Sequence, residues 1–586
     1  MVEGKSLLPI IKGKQRKVRD QLFGAFSDCQ RMIRDDRWKL IKYNAGGAKN
    51  AQLFDLKNDP DELTNLAAEP KRASQRARLE KMLADARKQF GDPVDFESSR
   101  RREEALPANP KTENRKPKSE QSLLASAATV SPKSSSPARP NIVLVMTDDQ
   151  GYGDLGFTGN PIIKTPHIDS FARRSVRFTG FHVSPTCSPT RCALMTGRHE
   201  FRSGVTHTLH ERERMSLEAT TIAQVLKSAG YTTGIFGKWH LGDEAAYQPD
   251  RRGFDEVFIH GAGGIGQTYA GSCGDAPGNT YFDPAILHNG QFEKTKGYCT
   301  DLFFGQALNW MDTKRKDKSP FFAYITPNAP HAPLQCPQEY AERYAGKVDT
   351  NVAKFFGMIE NIDDNFGRLL AKLDEWGIAR DTLVIFMTDN GGTAGVKIFN
   401  AGMRGQKVTP YEGGTRVPAF WRWPKGFQGG RDCTALTAHI DIFPTLAQIA
   451  GGKVPENVKL DGRSLVPLLK DPNADWPDRF LFTHVGRWEK GKAEESKFAN
   501  YAVRDARFHL VNDTELFDLK TDPGEMRSVF ADHPEVVTKM RAAYDQWWRE
   551  ILPALENENA IGPKVNPFKE LYWKQFGGGP DAAVPK

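Results

Sequence analysis

Two nearly unbroken apolar runs, Asn141 to Met146 (NIVLVM) and Thr382 to Met387 (TLVIFM), constrain this chain more than any other feature. A strand with one wet face alternates apolar and polar side chains. A run that is apolar at successive positions needs cover on both faces, as a central strand of a parallel sheet has. Between the runs the sequence alternates in the same style. Thr221 to Ala229 predicts a helix, Thr232 to Phe236 a strand, Phe321 to Ile325 another strand, and Val352 to Leu373 a long helix. The pattern predicts an α/β fold, with a large and mostly parallel sheet sandwiched by helices.

Ligands of such sheets collect beyond the carboxyl ends of the strands. There, NIVLVM runs into Thr147-Asp148-Asp149-Gln150-Gly151, and TLVIFM into Thr388-Asp389-Asn390-Gly391-Gly392. Asp148, Asp149, Asp389 and Asn390 offer only hard oxygen, which selects Ca²⁺ or Mg²⁺. The strand ending at Phe236 leads to Lys238 and His240, and the one ending at Ile325 leads to His331. Gly402 to Pro418 (GMRGQKVTPYEGGTRVP) is glycine-rich and carries Arg404, Lys407 and Arg416, as a loop that closes on an anion would. A cation, several basic side chains and two histidines suit a tetrahedral oxyanion, a sulfate or phosphate ester. Cys187, in SPTCSPTRCALMTGRH, is the discordant member, because soft sulfur and a hard cation are mismatched. The chemistry asks for an oxygen nucleophile where the sequence has a thiol.

Cys187-Ser188-Pro189-Thr190-Arg191 resembles the C-x-P-x-R signature of type I sulfatases, of the alkaline phosphatase superfamily, and Met195 to Arg198 resembles its downstream T-G-R element. The resemblance runs from about Pro140 to Ile551. It implies that a dedicated maturation enzyme, formylglycine-generating or equivalent, oxidises Cys187 to Cα-formylglycine. It also implies Ca²⁺, less often Mg²⁺, held by Asp148, Asp149, Asp389, Asn390 and the hydrated aldehyde at 187. Arg191 would orient that gem-diol, while Lys238 and Lys407 hold the sulfate oxygens. His331, with Lys407, would protonate the departing alcohol. His240 would take the proton of the second hydroxyl, so that sulfate is expelled and the aldehyde regenerated. Location outside the cytoplasm, periplasmic or extracellular, goes with the family. A phosphodiesterase or phosphonate monoester hydrolase of the same superfamily is one alternative, and a non-catalytic sulfated-glycan-binding protein whose Cys187 stays a thiol is another.

An internal repeat divides the chain. Gly4 to Lys12 (GKSLLPIIK) echoes Gly462 to Lys470 (GRSLVPLLK), Arg34 to Ile41 echoes Arg504 to Val511, and Leu53 to Glu62 echoes Leu516 to Glu525, in the same order. Each copy predicts short strands followed by an amphipathic helix, with Leu79, Met82, Leu83 and Ala86 facing inward in the first, and Val537, Met540, Ala543, Tyr544 and Trp547 in the second. We therefore expect a small α+β unit over residues 1–97, like the C-terminal subdomain of a second sulfatase, and a Pro/Ser/charge-rich linker over 98–139. A catalytic domain then spans 140–455, and a C-terminal subdomain and tail 456–586.

The net charge of +8 is modest and no nucleic-acid motif is present. No apolar run approaches the roughly 20 residues of a membrane span. Neither the opening residues nor Leu123 to Val130 (LLASAATV) reads as a signal peptide. Seven cysteines (29, 187, 192, 273, 299, 336 and 433) are too few and too scattered for a disulfide scaffold. Pairing of Cys273 with Cys299 is left open, and Cys192 is expected to pack in the core. Substrate choice is expected from His207 to Arg214 (HTLHERER), with His207, His210 and Arg212 as sugar contacts, and from the glycine-rich Gly261 to Thr280. A sugar sulfate is favoured over an aryl sulfate.

Overall fold

The computed structural model describes residues 20–26, 30–45, 48–59, 65–90, 92 and 139–579. The Gly4 block, Cys29, Glu62, the linker up to residue 138 with its LLASAATV patch, and the tail beyond 579 lie outside these residues.

The chain forms two compact units. In the N-terminal one, the strands Leu22–Phe26, Gln30–Arg34, Trp38–Ala45 and Ala48–Asp55 make an antiparallel meander. The helix Ala73–Gln89 lays Leu79, Leu83 and Ala86 against Ile33, Trp38, Leu40 and Leu53, with Met82 half-buried at the margin. Those helix positions recur every three to four residues, so they form one stripe.

The second unit is built on a ten-stranded sheet. Its middle is five parallel strands, which in chain order are β1 (Asn141–Thr147), β2 (Thr232–Lys238), β3 (Glu256–His260), β4 (Phe321–Thr326) and β5 (Thr382–Thr388). In space they run β3-β2-β4-β1-β5. Side chains of period two, buried on both faces, explain the apolar runs. Ile142, Leu144 and Met146 enter one core and Val143 and Val145 the other; Leu383, Ile385 and Met387 divide from Val384 and Phe386 in the same way. The helices Ile222–Ser228 and Ile442–Ala450 cover the first face, and Cys299–Lys316 and Thr350–Glu375 the second. Antiparallel strands extend both edges.

A smaller antiparallel sheet follows, made of Leu481–His484, Tyr501–Arg504, Phe508–Val511 and Glu515–Asp518. The helix Pro534–Ile551 packs on it through Val537, Met540, Tyr544, Trp547, Trp548 and Ile551. Ala543 is only half-buried, and Trp548 takes the inward place instead. Among the described residues no helix is long and apolar enough to cross a membrane.

Candidate active site

β1 and β5 are adjacent and in register, with Thr147 opposite Thr388, so their acidic ends converge. The loops behind them touch: a Cβ on Gly151 would lie 2.6 Å from the amide nitrogen of Gly392, a gap no other residue type fits. Asp148, Asp149, Asp389 and Asn390 are all buried there. The Asp149 amide donates to Asp389 Oδ1 (3.2 Å), and Asn390 Nδ2 donates to Asp149 Oδ1 (3.0 Å). Asp148 Oδ1 and Asn390 Oδ1 have no partner. Burial, only partly offset by Lys238, pushes the Asp148 carboxyl up to about 7; burial beside Asp148 lifts Asp389 to about 6. Burial would raise Asp149 as well, but Lys407 and His331 hold it well below the usual range. Three crowded carboxyls and two orphaned oxygens form a donor set that a hard dication fits.

Cys187 opens the helix α1 (Cys187–Thr196), every residue of which is buried. Thr186 is extended (φ −148°), and Gly197 closes the helix in the left-handed region (φ 65°). Position 187 thus sits at a helix N-terminus, where the macrodipole favours negative charge. Burial opposes ionisation of the thiol, yet Lys238 and Lys407 pull it below its usual value. One turn on, Arg191 reaches back under the strand ends. Its Nη2 donates to Asp389 Oδ2 (2.7 Å), and its Nη1 to Lys238 O (3.1 Å) and Thr326 Oγ1 (2.5 Å).

Lys238 ends β2 and donates to Asp148 Oδ2 at 2.5 Å. The Gly402 to Pro418 loop brings Lys407 Nζ to Asp149 Oδ1, also at 2.5 Å. His331 Nε2 lies 3.8 Å from Asp149 Oδ2. His240, in the left-handed region (φ 60°), shows Nδ1 to Cys187 Sγ at 3.6 Å. Its Nε2 meets the Thr208 carbonyl at 2.8 Å, which makes Nε2 the protonated nitrogen and Nδ1 the acceptor. Burial and the Lys238 charge keep this ring neutral. All ten candidate catalytic and metal residues are therefore drawn into one cluster, buried except for half-buried His331 and Lys407.

The loop residues fare differently. His207 is half-buried, His210 is exposed, and their rings lie 5.5 Å apart. Arg212 is not a sugar contact: it is buried, donating to Trp488 O (2.6 Å) and Thr206 Oγ1 (2.8 Å), with Glu558 3.4 Å away. Arg404 and Arg416 also turn from the pocket, the first to Glu515 and Tyr411, the second to Thr179 O and the Tyr152 ring. Cys273 and Cys299 do not pair. Cys273 Sγ lies 3.2 Å from His240 Nε2, and Cys299 Sγ contacts Asn328. Thr326 and Cys273 belong to the site without a sequence signal, because their roles rest on hydrogen bonds and not on a motif. Cys192, within α1, packs in the core.

The described geometry accords with the comparisons. A family model described as Sulfatase matches residues 140–452, and one described as N-sulphoglucosamine sulphohydrolase, C-terminal, matches both 1–89 and 406–548. Arylsulfatase A of Homo sapiens is 33% identical over 69% of this chain and 86% of its own length. N-acetylgalactosamine-6-sulfatase of Mus musculus is 32% identical over 66% of this chain and 82% of its own. The crystal structure of Ps i-CgsB in complex with k-i-k-neocarrahexaose superposes with a TM-score of 0.63 at 29% identity, covering 74% of this chain and 97% of that one.

Proposed function

This chain belongs to the sulfatase family, hydrolases of sulfuric ester bonds, and from that premise we propose that it removes sulfate from a sulfated carbohydrate. Residue 187, matured to Cα-formylglycine, supplies an oxygen nucleophile in place of sulfur. Asp148, Asp149, Asp389, Asn390 and residue 187 would hold a divalent cation, Ca²⁺ or less often Mg²⁺, which would supply positive charge for the sulfate oxygens. One observation carries the reading: Lys238, Lys407 and Arg191 each reach a different carboxylate around the same buried Cys187.

The side chains divide the work. Lys238 and Lys407 hold sulfate oxygens, and Arg191 orients the group at 187. Neutral His240 presents a lone pair at Nδ1 to residue 187 and accepts a proton there. His331, at the open side of the pocket, gives a proton to the leaving sugar oxygen. Net, one water is consumed and an alcohol and sulfate are released.

The carbohydrate assignment draws on a relative named for N-acetylgalactosamine-6-sulfate and on a structure bound to neocarrahexaose. A periplasmic or extracellular location and a formylglycine-generating partner go with it, as does a division of the chain near 97, 139 and 455. A phosphonate monoester hydrolase shares the fold at a TM-score of 0.50 and 22% identity. The test is turnover of a chromogenic aryl sulfate against the matching phosphate and phosphonate monoesters, before and after chelation. We expect sulfate to be the best substrate, with activity lost to chelator and restored by Ca²⁺. Preference for the phosphonate contradicts the reading.

A further inference from the structure

The three cations of the catalytic site, Lys238, Lys407 and Arg191, are each paired with a carboxylate, Asp148, Asp149 and Asp389. A fourth is not. Arg487 follows the strand Leu481–His484 in the C-terminal sheet, and its backbone is in the left-handed region (φ 60°). Its amide donates to Thr206 O (3.1 Å) and its Nη2 to Thr208 Oγ1 (2.9 Å), while Nε is buried without a partner. Among the described residues no carboxylate pairs with it. A half-buried guanidinium with an orphaned N–H and a neutral partner is an unfavourable arrangement until an anion arrives.

Its place says where that anion comes from. Thr208, which Arg487 grips by the hydroxyl, is the residue whose carbonyl holds His240, and His240 faces Cys187. Thr208 also donates its amide to His207 Nδ1 (2.8 Å), so the Arg487 guanidinium stands on the same loop as His207. Arg487 and His207 are half-buried and His210 is exposed, so this loop borders solvent. Arg487 thus stands one loop residue away from the machinery and outside it.

We infer that Arg487, seated on the Thr208 hydroxyl in the His207 loop, is a second anion subsite that takes a carboxylate or another sulfate on the sugar carrying the scissile ester or on its neighbour. The planar fork of a guanidinium matches either oxyanion with two parallel hydrogen bonds. The inference rests on the sulfatase reading and narrows its substrate to polyanionic glycans.

The test compares kcat/KM for a monosulfated amino sugar, its disulfated form, and the monosulfated sugar linked to a uronate, with an aryl sulfate as reference. Wild type is expected to favour at least one dianionic substrate over the monosulfated sugar by about tenfold or more, the size of one charged hydrogen bond. Arg487→Met is expected to bring that ratio near one, mainly through KM, and Arg487→Lys to keep part of it. The disulfated and uronate arms tell which anion is read. A ratio unaltered in Arg487→Met, or no dianion preference in wild type, overturns the subsite while aryl sulfate turnover leaves the sulfatase reading standing. Loss of all turnover in wild type strikes the sulfatase reading itself.

Discussion

Cys187 is a buried thiol, 2% exposed, with a neutral imidazole on one side, two ammonium groups within electrostatic reach and hard oxygen beyond. Its oddity was readable from the sequence because strand ends are few and their residues are drawn together by the sheet. Arg212 was misread for a physical reason. A string such as HERER looks solvated, yet the loop folds inward and its arginine packs over Trp488. Arg487 has the opposite history, lying in a different subdomain and 300 residues from Cys187 in sequence. Glu213, next to Arg212, carries a prediction of its own. Burial pushes its carboxyl up to about 7, against an unfolded value near 4.3. The folded state therefore binds the proton more tightly, so this contribution to stability is complete below about pH 4 and is lost as pH rises through about 7. Urea denaturation of Glu213→Gln should accordingly show a flatter fall in stability between pH 5 and 8 than wild type. An identical slope would contradict it. At the site itself, Lys407→Ala is expected to lower kcat/KM for aryl sulfate by about a thousandfold, the scale of one transition-state charge contact, in protein that still melts cooperatively but at a lower temperature, because Asp149 loses its partner.

The Lys407 loop is an element held from outside. Arg404 and Tyr411 bond to Glu515, the Glu412 amide donates to Glu525 (2.8 Å), and Arg504 bonds to the Glu412 carboxylate; His509 in turn holds Glu525. Arg504, His509 and Glu515 lie on strands of the small C-terminal sheet, and Glu525 in the loop that follows it. The double substitution Arg504→Met, Glu525→Gln should let the loop drift and cost about 10- to 100-fold in kcat, since small misplacements of a catalytic group are expensive. A kcat equal to wild type, in a protein that still melts cooperatively, would show that the clamp has no part in catalysis. The last segment works in a similar way. Asn557 Nδ2 donates to Gly204 O and Arg214 O, and Asn566 Nδ2 to Asp243 Oδ2 and Gly271 O, so the tail straps both loops from which substrate choice is expected. The parallel strands were legible because burial on two faces leaves an apolar mark on every residue. The strap was not, because side-chain bonds to backbone carbonyls leave no periodic trace.

For the molecule as a whole, the repeat was legible because each copy must make the same kind of small core, Leu79 and Leu83 in one, Met540 and Tyr544 in the other. Every residue assigned to the catalytic site lies between 148 and 407, and removal of residues 1–97 is predicted to leave aryl sulfate turnover unchanged; a large loss would give the first copy a role in the site. Metal binding is also a property of the whole fold, since the cation sees folded protein only. Calcium at a hundredfold excess over its Kd should stabilise the protein by about 2.7 kcal/mol, read as a rise in melting temperature that chelator reverses. The central claim, however, lives at one residue. Mass spectrometry of the peptide spanning Cys187, from protein made in a host with the maturation enzyme, tests it most directly. The account predicts a species about 18 Da lighter than the unmodified cysteine peptide, the difference between thiol and aldehyde. A free thiol at position 187 in protein that nevertheless hydrolyses sulfate esters would contradict it.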